Sequence, residues 1–311
     1  MRVASLLPGA TEIASLAGAE NELVGVTHEC DYPPGVERLP KLTASRIRSE
    51  SMSSAEIDAA VGELGSTMTD EGSIYELRTE LLEELAPDLI LTQGLCDVCA
   101  VSINVVERAA AQLQSQPRLI SLNPASISDV LEDVLTVGIA LGREDAARKE
   151  VESLRRRLAL VEERVSGLSR PKVGCLEWLD PPFSAGHWVP EMVRLAGGED
   201  ALASPGEASA RLSWESFVEA APEVMVLMPC GFDAQRTLSE AHALDAVEGW
   251  SGIPAVEDGR VWAVDANSYF SRPAPRLVDG VEMLARILHP EAFPEEPHER
   301  AAVRLSGAHA G

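Results

Sequence analysis

Short apolar runs at 2–7, 23–27, 88–92 and 118–122 are each followed by a stretch with helical spacing. That alternation confines the first part of the chain to a parallel α/β sheet, because parallel strands need long crossovers that pack helices on the sheet faces. Ligands of such sheets bind beyond the carboxyl ends of the strands. Two of those ends carry unusual chemistry. His28-Glu29-Cys30-Asp31-Tyr32-Pro33 follows the run at 23–27, and Cys96-Asp97-Val98-Cys99 follows the run at 88–92. The topology therefore places three thiols and an imidazole on one rim.

The same alternation resumes after a long helical interval. Helices are expected at 9–16, at 53–64 (Ser53 and Glu56 form a capping box), at 74–85 with Leu77, Leu81, Leu82 and Leu85 on one face, and at 98–113. Apolar spacing then continues through 127–141 and 144–168, a length that suits a connecting strut. Strands follow at 172–178, 224–228 and 260–264, with helices at 190–195, 214–220 and 276–288. A length of 311 residues with 45% hydrophobic content favours two cores over one. The expected organisation is an α/β lobe at 1–123, a linking helix at 124–169, a second α/β lobe at 170–289 and a disordered tail rich in Pro and Glu at 290–311.

Charge narrows the partners. A formal net charge of −24 opposes sequence-independent nucleic-acid binding, which depends on Lys and Arg neutralising phosphates, and opposes docking on anionic membranes. No apolar run reaches the ~20 residues of a membrane span. The run after Met1-Arg2 is broken at Pro8-Gly9, too soon for the apolar core of a secretion signal. The expectation is a cytoplasmic protein, or an extracytoplasmic one if a precursor was trimmed. Five cysteines, an odd number, then suit reduced thiols, metal or redox chemistry better than a disulfide framework.

Cys30, Cys96 and Cys99 are candidate metal ligands, with His28 as a fourth. A Cys₃His set suits zinc, and three thiolates with an open position suit an iron–sulfur cluster. Against the joint set, His28 and Cys30, two apart in their loop, are expected to point to opposite sides. Buried structural thiols are the alternative reading. Cys175 reads as core, and Cys230, at a strand end, as structural. His187 lies in the loop Ser184-Ala185-Gly186-His187-Trp188, where an imidazole either meets the metal of a bound macrocycle or caps the next helix. Aromatics make up 4% of the chain, yet Tyr32, Phe183, Trp188, Tyr269 and Phe270 all fall in loops after strands. That placement favours contact with a large flat ligand over core packing. No nucleophile–histidine–acid set, phosphate-binding glycine loop or dinucleotide fingerprint occurs.

Several segments together resemble a known family. They are Ser5-Leu6-Leu7-Pro8-Gly9-Ala10-Thr11-Glu12, Val24-Gly25-Val26-Thr27 with Asp31-Tyr32-Pro33, and Ala86-Pro87-Asp88-Leu89-Ile90. In the second half they are Asp180-Pro181-Pro182-Phe183 with Gly186, Ala196-Gly197-Gly198-Glu199, and Tyr269-Phe270 with Arg272-Pro273-Ala274-Pro275-Arg276. Their order resembles the helical-backbone class of ABC-transporter substrate-binding proteins, and within it the members that bind cobalamin. The resemblance implies two Rossmann-like lobes joined by one long helix, a corrinoid or related metal chelate held in the cleft between lobes, and an ABC transporter or corrinoid-handling partner. Carried over by position, Pro8, Tyr32, Pro33, Phe183, Tyr269, Phe270 and Arg272 become ligand-contact candidates, with His187, Trp188 and Asp265 in the same loops. The cysteines at 30, 96 and 99 lie outside that pattern, which keeps a second reading open: a cytosolic metalloprotein or redox enzyme built on them.

Overall fold

A computed structural model describes residues 1–67, 74–94 and 100–305. The chain divides into two compact units. The first comprises Met1–Met52, Glu56–Pro124 and Ser128–Ser153, and the second comprises Ser53–Ala55, Ala125–Ile127 and the chain from Leu154 on. The elements up to the boundary are β1 (Val3–Ser5), α1 (Pro8–Leu16), β2 (Leu23–Gly25), β3 (Thr43–Ser45), α2 (Ser54–Thr67), β4 (Tyr75–Leu77), α3 (Thr79–Leu85), β5 (Leu89–Thr92), α4 (Ile103–Gln112), β6 (Arg118–Ser121), α5 (Ile127–Ala140) and α6 (Glu144–Val165). Beyond it come β7 (Lys172–Leu179), β8 (Pro182–Ser184), α7 (Val189–Leu195), β9 (Glu199–Asp200), α8 (Trp214–Ala220), β10 (Val224–Leu227), α9 (Ala234–Ala241), α10 (Pro254–Glu257), β11 (Val261–Val264), α11 (Ala266–Tyr269), α12 (Leu277–Leu288) and β12 (Ala302–Arg304).

The first unit is built on a parallel sheet of order β2-β1-β5-β6. Val3 and Ala4 of β1 and all of β5 are buried, as strands covered on both faces require. Leu6, Leu42, Leu82, Ile90 and Val106 form one core cluster. The second unit has a sheet of order β12-β11-β10-β7-β8, with β9 also paired to β7. Strands β7, β10 and β11 are parallel, whereas β8 and β12 run antiparallel to their neighbours. Its core gathers Leu176, Phe217, Met225, Leu227, Trp250 and Ile253.

The helical interval is two helices rather than one. Gly142, at φ +69°, takes the left-handed conformation that ends α5, and α6 restarts at Glu144. Along α6, Val151, Leu154, Leu158, Val161 and Val165 are buried at helical spacing, and the boundary between the units falls inside this helix.

Two sequence expectations are corrected. The stretch 74–85 is not one helix: Tyr75–Leu77 pairs antiparallel with Thr43–Ser45, and the helix starts only at Thr79. A cross-strand partner some thirty positions away outweighs the local leucine spacing there. The tail is not wholly disordered either. Ala302–Arg304 pairs with Val261–Val264, with Ala302 and Val303 opposite Val264 and Ala263.

One buried charge carries a pH prediction. Asp133 on α5 has a buried Oδ2 without a hydrogen-bond partner among the described residues. Burial, then the neighbouring charges of Asp129 and Glu132, push its carboxyl from 3.8 up to about 7. A raised folded-state value means that ionisation penalises the fold as pH climbs from about 4 to about 7, and fully above it. Asp133→Asn should therefore raise the calorimetric Tm at pH 8 by the equivalent of about 1–2 kcal/mol after solvent screening, and change little at pH 4. Equal shifts at both pH values would refute this account.

Candidate functional site

The carboxyl ends of β1 and β2 lie side by side because the strands are parallel neighbours. Above them the first unit forms a small open pocket. Leu6 and Pro8 line it from the β1–α1 turn, Thr27, His28 and Glu29 from the loop after β2, and Thr43 and Tyr75 from the small β3–β4 sheet, with Ala100 and Val101 completing it. Pro8 sits in the first turn of α1, where its missing N–H leaves no bond unmade.

His28 and Cys30 do point apart. The Cys30 Sγ is buried 3.1 Å from Thr11 Oγ1 and 3.2 Å from Thr27 Oγ1. The His28 ring instead places Nδ1 2.7 Å from Thr43 Oγ1 and packs tilted against Tyr75, with ring centroids 5.4 Å apart. Burial holds the imidazole below its ordinary pKa of 6.5, against the nearby Glu29 carboxylate, and so favours the neutral ring. The Tyr75 hydroxyl donates to Glu29 Oε1 at 3.2 Å. Cys96 and Cys99, expected beside Cys30, lie outside the described residues. Among the described residues no three His, Cys, Asp or Glu side chains converge on a metal position. Tyr32 is 42% exposed and Pro33 partly so.

In the second unit the parallel register puts the ends of β7, β10 and β11 on one edge. Phe183 is not in a loop but in β8, opposite Trp178, and remains half-buried. His187 has φ +54° and is pinned by its own backbone: its N–H donates to Glu207 O at 2.6 Å and its carbonyl accepts from Gly206 N–H at 2.8 Å. Beneath it, Glu177 accepts from Ser209 Oγ at 2.6 Å and from Gly186 N–H at 3.3 Å, while burial pushes its carboxyl up. Asp265 caps α11 by accepting from Ser268 N–H at 2.9 Å, and burial raises its carboxyl as well. Tyr269 ends that helix, half-buried, with the Arg276 guanidinium 5.8 Å from its ring centroid.

Two aromatic candidates prove to be core. Phe270 is 2% exposed and Trp188 is 6% exposed, and the Trp188 indole N–H donates to Phe270 O at 2.7 Å. That bond satisfies the one polar atom of Trp188 internally, so neither ring is left on a surface. Arg272 is likewise buried, and its guanidinium donates to Asn267 Oδ1 at 2.9 Å. The sequence reading missed Thr43 and Tyr75, whose strands pair only over a long separation, and the Phe232–Arg236 stack, 3.7 Å from guanidinium carbon to ring centroid, beside the β10 end. The only local signal for Tyr75 was an aromatic residue next to Ile74, at the start of an apparent helix.

Comparison with known proteins agrees with this architecture. A family model described as periplasmic binding protein matches residues 3–267. An uncharacterized ABC transporter substrate-binding lipoprotein of Bacillus subtilis, YvrC, is 26% identical over 94% of this chain and 82% of its own length. The vitamin B12-binding protein of Vibrio cholerae is 24% identical over 92% of this chain and 88% of its own. Among solved structures, a periplasmic heme-binding protein from Pseudomonas aeruginosa superposes with a TM-score of 0.73 at 18% identity, covering 98% of each chain. The cytoplasmic expectation is overturned by these findings, since the matched family and these relatives are periplasmic proteins or lipoproteins. No described helix is long and apolar enough to cross a membrane.

Proposed function

Because this chain belongs to the periplasmic binding protein family, we propose that it captures cobalamin, or a closely related metal-bearing macrocycle, outside the cytoplasm and passes it to an ABC transporter. The observation that carries this reading is the open pocket at the ends of β1 and β2, walled by Pro8, His28 and Tyr75. Tyr32 stands exposed in the loop that follows. In the second unit Phe183, His187, Asp265 and Tyr269 stay partly accessible at or beside the strand ends, where ligands of parallel sheets sit. The names of the Vibrio and Bacillus relatives support the ligand and the transporter respectively. Tyr32, Pro33, Phe183 and Tyr269 are the proposed apolar contacts.

Isothermal titration with cyanocobalamin and, separately, with hemin tests this. Cyanocobalamin should bind one molecule per chain, and Tyr32→Ala and Tyr269→Ala should each weaken it about tenfold, or about 1.4 kcal/mol. Heat from hemin alone would reassign the ligand to an iron porphyrin. No heat from either at high micromolar concentration would remove the reading.

A further inference from the structure

We infer that Glu177 is a positioning residue for ligand capture: its carboxyl group fastens the segment 204–212 to the loop 183–188, and so holds Phe183 and His187 at the strand ends. The inference rests on the functional reading above and deepens it by naming a group that keeps the site in shape. The segment 204–212 needs a fastening. Residues 204–208, 210 and 211 are exposed, so burial does little to keep it in place. It lies along the loop through backbone bonds. Leu212 N–H donates to Pro182 O at 2.8 Å, Ser184 N–H to Ala210 O at 2.9 Å, His187 N–H to Glu207 O at 2.6 Å and Gly206 N–H to His187 O at 2.8 Å.

Glu177, late in β7, reaches both sides with one side chain. Its Oε1 accepts from Ser209 Oγ at 2.6 Å on the segment, and its Oε2 accepts from Gly186 N–H at 3.3 Å in the loop. Gly186 lets the two backbones come that close, since an added Cβ would meet Ala208 C at 2.7 Å. The loop is also bent against its own preference: His187, at φ +54°, occupies a region uncommon for residues with a Cβ. Such a conformation persists where its surroundings over-determine it, and ligand clamps are a usual place for it. Both backbone groups of His187 are held by Gly206 and Glu207, and the Glu177–Ser209 bond anchors that stretch just beyond them. Without the carboxyl group, Ser209 Oγ and Gly186 N–H both lose their acceptor, and exposed residues alone are left to hold the bend. Burial pushes the carboxyl above its ordinary 4.5, which marks a place where a neutral side chain of the same shape fits.

Isothermal titration of the full chain with cyanocobalamin, and separately with hemin, reads the consequence. Glu177→Ala and Ser209→Ala should each bind about tenfold more weakly than wild type. Their double variant should be no weaker than Glu177→Ala alone, because both substitutions break the same bond. Glu177→Gln should recover most of the loss, since its amide oxygen accepts from Gly186 N–H and its NH₂ group donates to Ser209 Oγ. Trypsin supplies a readout that needs no ligand. The bond after Arg211, exposed on the segment, should be cut about tenfold faster in both alanine variants than in wild type. Ser209→Ala carries the test if Glu177→Ala does not fold. Wild-type affinity in either alanine variant, a loss that Glu177→Gln leaves unrecovered, or equal cutting rates would overturn the inference and leave the functional reading standing. Failure of the wild type to bind either compound would take both down.

Discussion

Gly186→Ala is expected to destabilise the second unit by about 3 kcal/mol or more, at the upper end of overpacking effects. A Cβ at this position would run into Ser209 N and meet Ala208 C at 2.7 Å and Glu207 O at 2.8 Å. All three are backbone atoms, so no rotamer change relieves the contact. The facing segments are also tightly joined. Ser184 N–H donates to Ala210 O at 2.9 Å, His187 N–H to Glu207 O at 2.6 Å, and Ser209 Oγ to Glu177 at 2.6 Å. Prising them apart breaks those bonds and moves Phe183 and His187, so ligand affinity should fall together with stability. The five tryptophans, at 178, 188, 214, 250 and 262, all belong to the second unit. Urea unfolding followed by tryptophan fluorescence therefore reads this unit directly. Gly252→Ala is the control, because nothing lies within 4 Å of its added Cβ. A Gly186→Ala midpoint equal to that of Gly252→Ala would dismiss the argument.

Phe217→Ala should cost about 3–5 kcal/mol, the range for deleting a buried aromatic ring. Phe217 is fully buried on α8 and meets Trp214 edge-on at 5.7 Å between ring centroids. It packs in the cluster of Leu176, Met225, Leu227 and Trp250, the first three of which stand on β7 and β10, inside the second sheet. Gly174 on β7 approaches the ring so closely that an added Cβ would lie 3.3 Å from it. Rigid strands on one side leave the vacated space little chance to collapse, which places the cost toward the top of the range. Phe217→Leu should recover more than half of the loss. A leucine variant no more stable than the alanine variant would show that ring volume is not what matters.

The α/β alternation was legible because burial on both faces writes itself into short apolar runs such as Leu89–Thr92. The divergence of His28 and Cys30 has a cause not visible in their spacing. Strand-like backbone would put positions two apart on one face, whereas here a turn over 27–30, closed by Cys30 N–H on Thr27 O at 3.3 Å, sends them apart. What escaped were features made by partners far away in sequence. Tyr75 gains its position from β3, and leucine spacing alone turned that segment into a helix. Trp188 and Phe270 follow strands, as binding residues often do, yet each is buried, and a hydrogen bond ties them across 82 positions. Tyr32, also in a loop after a strand, stays exposed, so loop position alone does not decide burial.

Strand β12 has a practical bearing on how the protein is handled. It pairs with β11 and so occupies what would otherwise be the open margin of the second sheet. Cutting the chain at 289 would bare a hydrogen-bonding row on Val261–Val264, all but Trp262 of it buried. An exposed margin of that kind recruits other strands. A shortened chain should thus self-associate with rising concentration, and affinity tags belong on a spacer beyond Arg304 rather than in place of the last residues.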